Sequence, residues 1–226
     1  MQQLVSSDTP LLAAVIRKPP TAIGRSVRTI DAPRRTVLFR SGDPPSGIYI
    51  VLSGVVKLSL PSAARDEKVI ALLGPGDSFG LSATLADKPH VVTAVVASDC
   101  RLAHLPRGSA RQMMRRDPKF AHQIALELNR RFRDFLVDIQ LTTRQSAIQR
   151  TAIFLLRHMP QTKRKQAITF RLPAKKADIA SKLDLTGAHF SRTLHELHTA
   201  GLIRLQGSTL TVGNVARLRS VTRRTR

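Results

Sequence analysis

With 226 residues, 42% of them apolar, the chain can build one large or two modest domains with real cores, and wholesale disorder is excluded. Its net charge of +22 at pH 7 is unevenly spread: residues 1–140 carry +8 and the shorter stretch 141–226 carries +14, which points to a polyanionic partner such as nucleic acid. A single cysteine, Cys100, excludes an internal disulfide and any all-cysteine metal or iron–sulfur site, and its type suits a small buried apolar residue.

No run of 18 apolar residues occurs, and the opening lacks the basic-then-apolar order of a secretion signal, so the expected compartment is the cytoplasm. A membrane-surface role ranks below DNA, because tryptophan is absent and no long basic amphipathic helix with an aromatic edge is present. Residues 1–30 read as a helical N-terminal region, broken at Pro19-Pro20. Over 31–116 the texture turns to short β-like runs at 36–39, 48–52, 55–60, 69–72, 91–97 and 101–105. They are punctuated by Gly42-Asp43-Pro44, Ser53-Gly54, Gly74-Pro75-Gly76-Asp77 and Gly80, a pattern that predicts a compact antiparallel sandwich or roll.

A long helix is predicted over 117–143, opened by Asp117 as N-cap and Pro118 at the first helical position. Ala121, Ala125, Leu128, Phe132, Phe135, Ile139 and Thr142 recur at alternating spacings of four and three, a coiled-coil seam flanked by charge. The simplest partner for such a seam is a second copy of the chain. Packing on the chain's own β domain is the competing reading, and Ile124 and Leu136 are placed to do that.

The remainder, 144–226, begins with a helical stretch at 145–159 ended by Pro160, followed by the basic run Lys163-Arg164-Lys165, read as a solvated loop. Residues 173–205 then predict a helix-turn-helix. In its first helix Ile179, Ala180 and Leu183 share a face; in its second, Phe190, Leu194 and Leu197 do. Thr186 is the N-cap of the second helix, Gly201 closes it in a left-handed conformation, and Asp184 occupies the tight turn where a positive φ is wanted. Ala188, Ser191, Arg192 and His195 cluster opposite the apolar side and offer a polar face to a groove. Gln206-Gly207-Ser208 signals a hairpin that would form a wing, and the basic C-terminus is expected to fray. Nothing supports an enzyme: no nucleophile–base order, metal motif or phosphate loop is present, and the spacing of His195, Glu196 and His198 is not that of a zinc protease.

Taken together these segments resemble bacterial transcription regulators of the cyclic-AMP receptor protein/fumarate-nitrate regulator (CRP/FNR) family, over about residues 35–213. The likeness rests on G-D-P-P-S-G-I-Y-I-V-L-S-G-V-V-K-L at 42–58, G-P-G-D-S-F-G at 74–80, S-D-C-R-L at 98–102, S-A-I-Q-R at 146–150 and F-S-R-T-L-H-E-L-H-T-A-G-L-I at 190–203. It implies an α+β chain: an N-terminal double-stranded β-roll of the cyclic-nucleotide-binding type, a long dimerisation helix and a C-terminal winged helix-turn-helix. It also implies a homodimer, double-stranded DNA as partner, and contact with RNA polymerase.

Cyclic-AMP binders in the family place Glu after the Gly of the phosphate loop and Arg-Ser about ten residues on. Here Gly80 is followed by Leu81, and the Arg-Ser positions fall on His90 and Val91. The Thr-Ser pair that grips adenine from the dimer helix corresponds to Phe135 and Leu136. With these handles replaced, a cyclic phosphate would be buried with at best a His partner, so cyclic AMP is not the expected effector. Iron–sulfur sensing is excluded by the cysteine count. Haem, with His90 as axial ligand, an apolar ligand, or no ligand remain, against the plainer reading that His90 beside Pro89 is simply exposed.

At the recognition helix the family's Glu–Arg pair is reduced to its Arg: Arg192 is kept, Ala188 stands at the Glu position and Gly187 precedes it. Arg192 fits a guanine O6/N7 edge and Ser191 lies near a thymine, with His195 a further reader, while Thr186, His189, Lys175 and Lys176 position the phosphate backbone. The competing reading is a ligand-binding module that regulates a protein partner without reading DNA.

Overall fold

The computed structural model describes residues 26–61, 67–160 and 167–223. Most of the expected N-terminal helical region and the Lys163-Arg164-Lys165 loop lie outside them. Two compact units divide the chain, one up to Phe135 and one from Leu136.

The first unit is a six-stranded antiparallel sheet rolled on itself. Its main path runs β1 (Arg28–Ala32), β6 (Thr93–Pro106), β3 (Gly47–Leu60), β4 (Lys68–Leu73); β2 (Val37–Phe39) adds to β6 and β5 (Ser78–Phe79) adds to β3. β3 and β6 are each 14 residues long, where the sequence suggested two short strands apiece. What the turn residues Ser53-Gly54 mark is a series of bulges: the β3–β6 register shifts between Val51 and Val56 while pairing continues on both sides. Gly54 makes this bend feasible, with φ +85 and the partner strand so close that a Cβ would stand 2.2 Å from the Asp99 carbonyl and 2.7 Å from Cys100 Sγ.

Alternation along β3 feeds two cores, because successive side chains leave opposite faces of a strand. Tyr49, Val51 and Val56 point into the roll with Phe39, Phe79, Val96, Cys100 and Leu102. Ile48 and Ile50 point the other way, onto α1 (Leu81–Ala86), α2 (Arg107–Arg116) and the start of α3 (Pro118–Arg144) through Leu81, Met113, Phe120 and Ile124. The Asp117-Pro118 start signal holds: the Asp117 carboxylate accepts from the backbone N–H of Lys119 at 2.9 Å and of Phe120 at 3.1 Å.

The second unit contains α4 (Ala147–His158), β7 (Ile168–Arg171), α5 (Lys176–Lys182), α6 (Gly187–Thr199), β8 (Ile203–Gln206), β9 (Thr209–Val212) and α7 (Val215–Val221). A capping box starts α4: Ser146 Oγ accepts from the Gln149 N–H, and the Gln149 side chain accepts from the Ser146 N–H. The hairpin expected around Gly207 forms, and β7 joins it to give the sheet order β7-β9-β8. Of the C-terminal stretch expected to fray, the part up to Val221 belongs to α7, which is capped by Asn214, buries Leu218 and packs on α4, while 224–226 lie outside the described residues.

Candidate nucleic-acid interface and sensor domain

The predicted helix-turn-helix is formed by α5 and α6. Between them Asp184 takes φ 58, and the Leu185 N–H returns to the Ala180 carbonyl at 2.9 Å. Thr186 caps α6, its hydroxyl accepting from the His189 N–H at 3.2 Å, and Gly201 leaves the helix at φ +67. One face of α6 is fully committed to the core through Phe190, Leu194 and Leu197. Thr193 is buried with them, satisfying its hydroxyl on the His189 carbonyl at 3.0 Å, a contact the apolar pattern could not reveal.

On the other face Ala188, His189, Ser191, Arg192 and His195 are all exposed, as are Thr186 and, at the start of α5, Lys175 and Lys176. The structure therefore gathers the four residues of the predicted reading face onto one open surface. Arg192 has no hydrogen bond or ion pair among the described residues, so its planar fork of donors is free for an outside acceptor. Glu196 is the only acidic residue on α6. His198 is tied down instead, with Nδ1 donating to the Ile203 carbonyl at 3.1 Å at the base of the hairpin.

The seam of α3 is open along much of its length. Leu128, Phe132, Phe135 and Ile139 are 38, 60, 53 and 44% exposed, Ala125 is exposed and Ala121 is half-buried. Ile124 packs on the roll as the competing reading allowed, whereas Leu136 is 48% exposed. Inward-facing Glu127 is a residue that the sequence reading passed over. It is buried, and its carboxylate receives Arg130 through two nitrogens at 2.8 and 2.9 Å, Arg131 Nε at 3.1 Å and the Ser78 hydroxyl at 2.7 Å. Both arginines also reach Asp77, at 3.1 and 3.2 Å. Burial alone would raise the Glu127 pKa, but the bonds from Arg130 and Ser78 and the Arg131 charge hold it below the ordinary carboxylate range. The i,i+3 and i,i+4 spacing of an acid to two arginines was the available signal.

The residues expected around an effector stand in different surroundings within their own units. Gly80 does sit at a tight approach, with φ +80 and room for no Cβ beside the Gly47 carbonyl, 2.7 Å away. Leu81, however, packs in the helix-facing core with Ile48 and Ile50, outside the interior cluster. Val91 is 73% exposed, and Phe135 and Leu136 stand on the open side of α3. His90 is buried, contrary to the plainer expectation of an exposed loop residue: its ring stacks on Phe39 at 3.6 Å and 9°. Backbone bonds fix it in place, from its N–H to the Asp43 carbonyl and from the Gly42 N–H to its own carbonyl. Its Nε2 has no hydrogen-bond partner among the described residues, and burial lowers its pKa against the opposing pull of Asp43. That orphan nitrogen is the atom an iron would need, but Phe39 covers the ring, Leu81 packs in the other core and Val91 is exposed, so the donor set does not fit a haem.

Comparison with known proteins places this architecture. The family model of the cyclic nucleotide-binding domain matches residues 29–117, and that of the Crp-like helix-turn-helix domain matches residues 149–221. A cyclic AMP receptor protein of Thermus thermophilus is 30% identical over 189 residues, 84% of this chain and 85% of the relative. The chain belongs to the CRP/FNR family of transcription regulators. The regulatory protein HlyX of Actinobacillus pleuropneumoniae is 29% identical over 80% of the chain and 76% of its own length. FixK2 from Bradyrhizobium japonicum has a solved structure of the same fold, with a TM-score of 0.79 at 23% identity over 88% of this chain and 99% of that one. In CRP/FNR terms the roll is the cyclic nucleotide-binding domain, and α5–α6 with the hairpin are the DNA-binding helix-turn-helix and its wing. Among the described residues no helix is long and apolar enough to cross a membrane.

Proposed function

We propose that the chain acts in the cytoplasm as a homodimer that reads a two-fold DNA site by placing α6 in the major groove, under the control of something other than cyclic AMP. In this reading residues 31–116 are the sensor domain, 117–143 the dimerisation helix and 144–226 the DNA-binding domain. The observation that carries it is the α6 surface: a free Arg192 guanidinium beside Ser191, His195 and Ala188, on a helix whose opposite face is fully buried. Arg192 reads guanine, Ser191 and His195 contact neighbouring bases, and Thr186, His189, Lys175 and Lys176 hold phosphates. Ala188 in place of an acid removes an acceptor for cytosine, so the half-site differs from one read by a Glu–Arg pair. The exposed α3 seam supports dimerisation, and two-fold pairing puts the half-sites one helical turn apart, roughly 34–36 Å. RNA polymerase is the protein partner this reading adds.

Replacement of the cyclic-nucleotide contacts by Leu81, His90 and Val91, and the stacking of His90 on Phe39, favour an effector that is apolar or absent. Selection of bound sequences from random double-stranded DNA tests the whole reading. Enrichment of a palindrome with guanine in each half, and binding that weakens steeply with salt, are expected. Equal recovery of all sequences would refute specific reading.

A further inference from the structure

The second unit holds a cleft of about 50 Å³ between the end of α3, α4 and α5 that no part of the DNA reading uses. Its polar lining is mostly cationic: Arg150, Arg157 and Lys182 face a single carboxylate, Asp138. That carboxylate is already taken, by a close Lys182 contact on one oxygen and by Arg157 at 3.4 Å on the other. Arg150 is left over. Its Nε is buried and has no hydrogen-bond partner among the described residues, and no acidic group pairs with its guanidinium there. A desolvated donor without an acceptor is unfavourable, and an arginine fork is matched by a planar carboxylate. The rest of the wall is hydrocarbon, from Leu141, Ile153, Phe154 and Leu183, with His158 stacked on Phe154 and its Nδ1 bonded to the Phe154 carbonyl.

We propose that this cleft binds a small organic carboxylate, its anionic head on Arg150 and its short hydrocarbon body against the apolar wall. One free cation and an apolar lining suit a monoanion with a few carbons better than a strongly hydrated inorganic anion. The occupant touches Lys182 of α5, the first helix of the helix-turn-helix, and Asp138 of α3, so it bears on the ion pair that joins these two helices.

Titration of the full-length protein with butyrate, at ionic strength held constant with sodium chloride, tests the site by calorimetry and thermal unfolding. Saturable binding and a rising Tm are expected, with affinity at least tenfold weaker in Arg150→Gln and unchanged in the exposed-site control Arg116→Gln. An identical titration curve with inorganic phosphate, or wild-type affinity in Arg150→Gln, would overturn the proposal. Saturation-transfer NMR on the butyrate methyl signal, read on the unmodified protein, keeps the test open should Arg150→Gln fold poorly: no transfer refutes the site.

Discussion

The helices α3 and α6 are both amphipathic, and each buries one face, but they leave surfaces of opposite character to solvent. α3 turns outward Leu128, Phe132, Phe135 and Ile139; α6 turns outward Ser191, Arg192 and His195. Exposed hydrocarbon in a row is stabilised by a second apolar surface, whereas an unpaired guanidinium among short polar side chains is satisfied by a directed acceptor. In the proposed function the same helical periodicity addresses two partners, and the outward residues decide which. Their inner faces differ as well: α6 is anchored by aliphatic packing around Phe190, and α3 adds to its packing a buried carboxylate held by two arginines.

The contrast breaks most completely at Phe132. Burying a Phe side chain contributes about 1.5–3 kcal/mol, and two-fold symmetry counts it twice, so Phe132→Glu is expected to weaken self-association by about 3–6 kcal/mol. Analytical ultracentrifugation should show monomer where the wild type is expected to sediment as a dimer. On the inner face of α3, Glu127→Ala leaves Arg130 with Asp77 and Asp134, and Arg131 with Asp77 and the Ser78 carbonyl. Because both arginines are partly solvated, the expected loss in urea unfolding is about 2–3 kcal/mol, below the full cost of stranding a buried charge. On the outer face of α6, Arg192→Ala should cost about 1–3 kcal/mol at one base position while leaving phosphate-driven affinity in place. A uniform loss over all sequences in a competition assay would move Arg192 from reading bases to holding the backbone. Thr186→Ala removes the α6 cap, and in the DNA-free protein a stability loss of about 1 kcal/mol is expected.

The gentlest probe is pH. Burial depresses the pKa of His90, and burial with the Arg28 charge depresses that of His104, so the folded state prefers both rings neutral. Unfolded chains then bind more protons, and the stability tied to these rings is present above their ordinary value of 6.5 and is lost as pH falls below it toward the folded values. His90→Phe should flatten the decline in Tm on acidification; an unchanged slope would place the effect elsewhere.

Local signals with strong chemistry were readable in the sequence: the Asp117-Pro118 start, the Thr186 cap, the positive φ at Asp184 and Gly201, the hairpin at Gly207 and the apolar stripe of α6 all appear where expected. Features fixed by distant partners were not. β1 has no clear alternation in Arg-Thr-Ile-Asp-Ala and exists because β6 pairs with it along its length. Short α1 and arginine-rich α2 are held as helices by Leu81 and Met113 on the sheet, not by a periodicity visible in isolation. His90 followed a proline and so resembled a loop residue, yet Phe39, 51 positions earlier, supplies the surface that buries it. Glu127 gave no sign in the apolar pattern, because folding brings the Ser78 hydroxyl to it and Asp77 to its two arginines.

The tight crossing of Gly54 and Cys100 gives the roll a built-in clock. Cys100 is 5% exposed, its thiol donates to the Ser98 carbonyl, and burial pushes its pKa up to about 11, so in the closed strand pair it is neither accessible nor a thiolate. Since the chain has no other cysteine, the rate at which a maleimide labels it measures how often the β3–β6 bulge opens, and an occupant of the sensor domain would announce itself by slowing that rate.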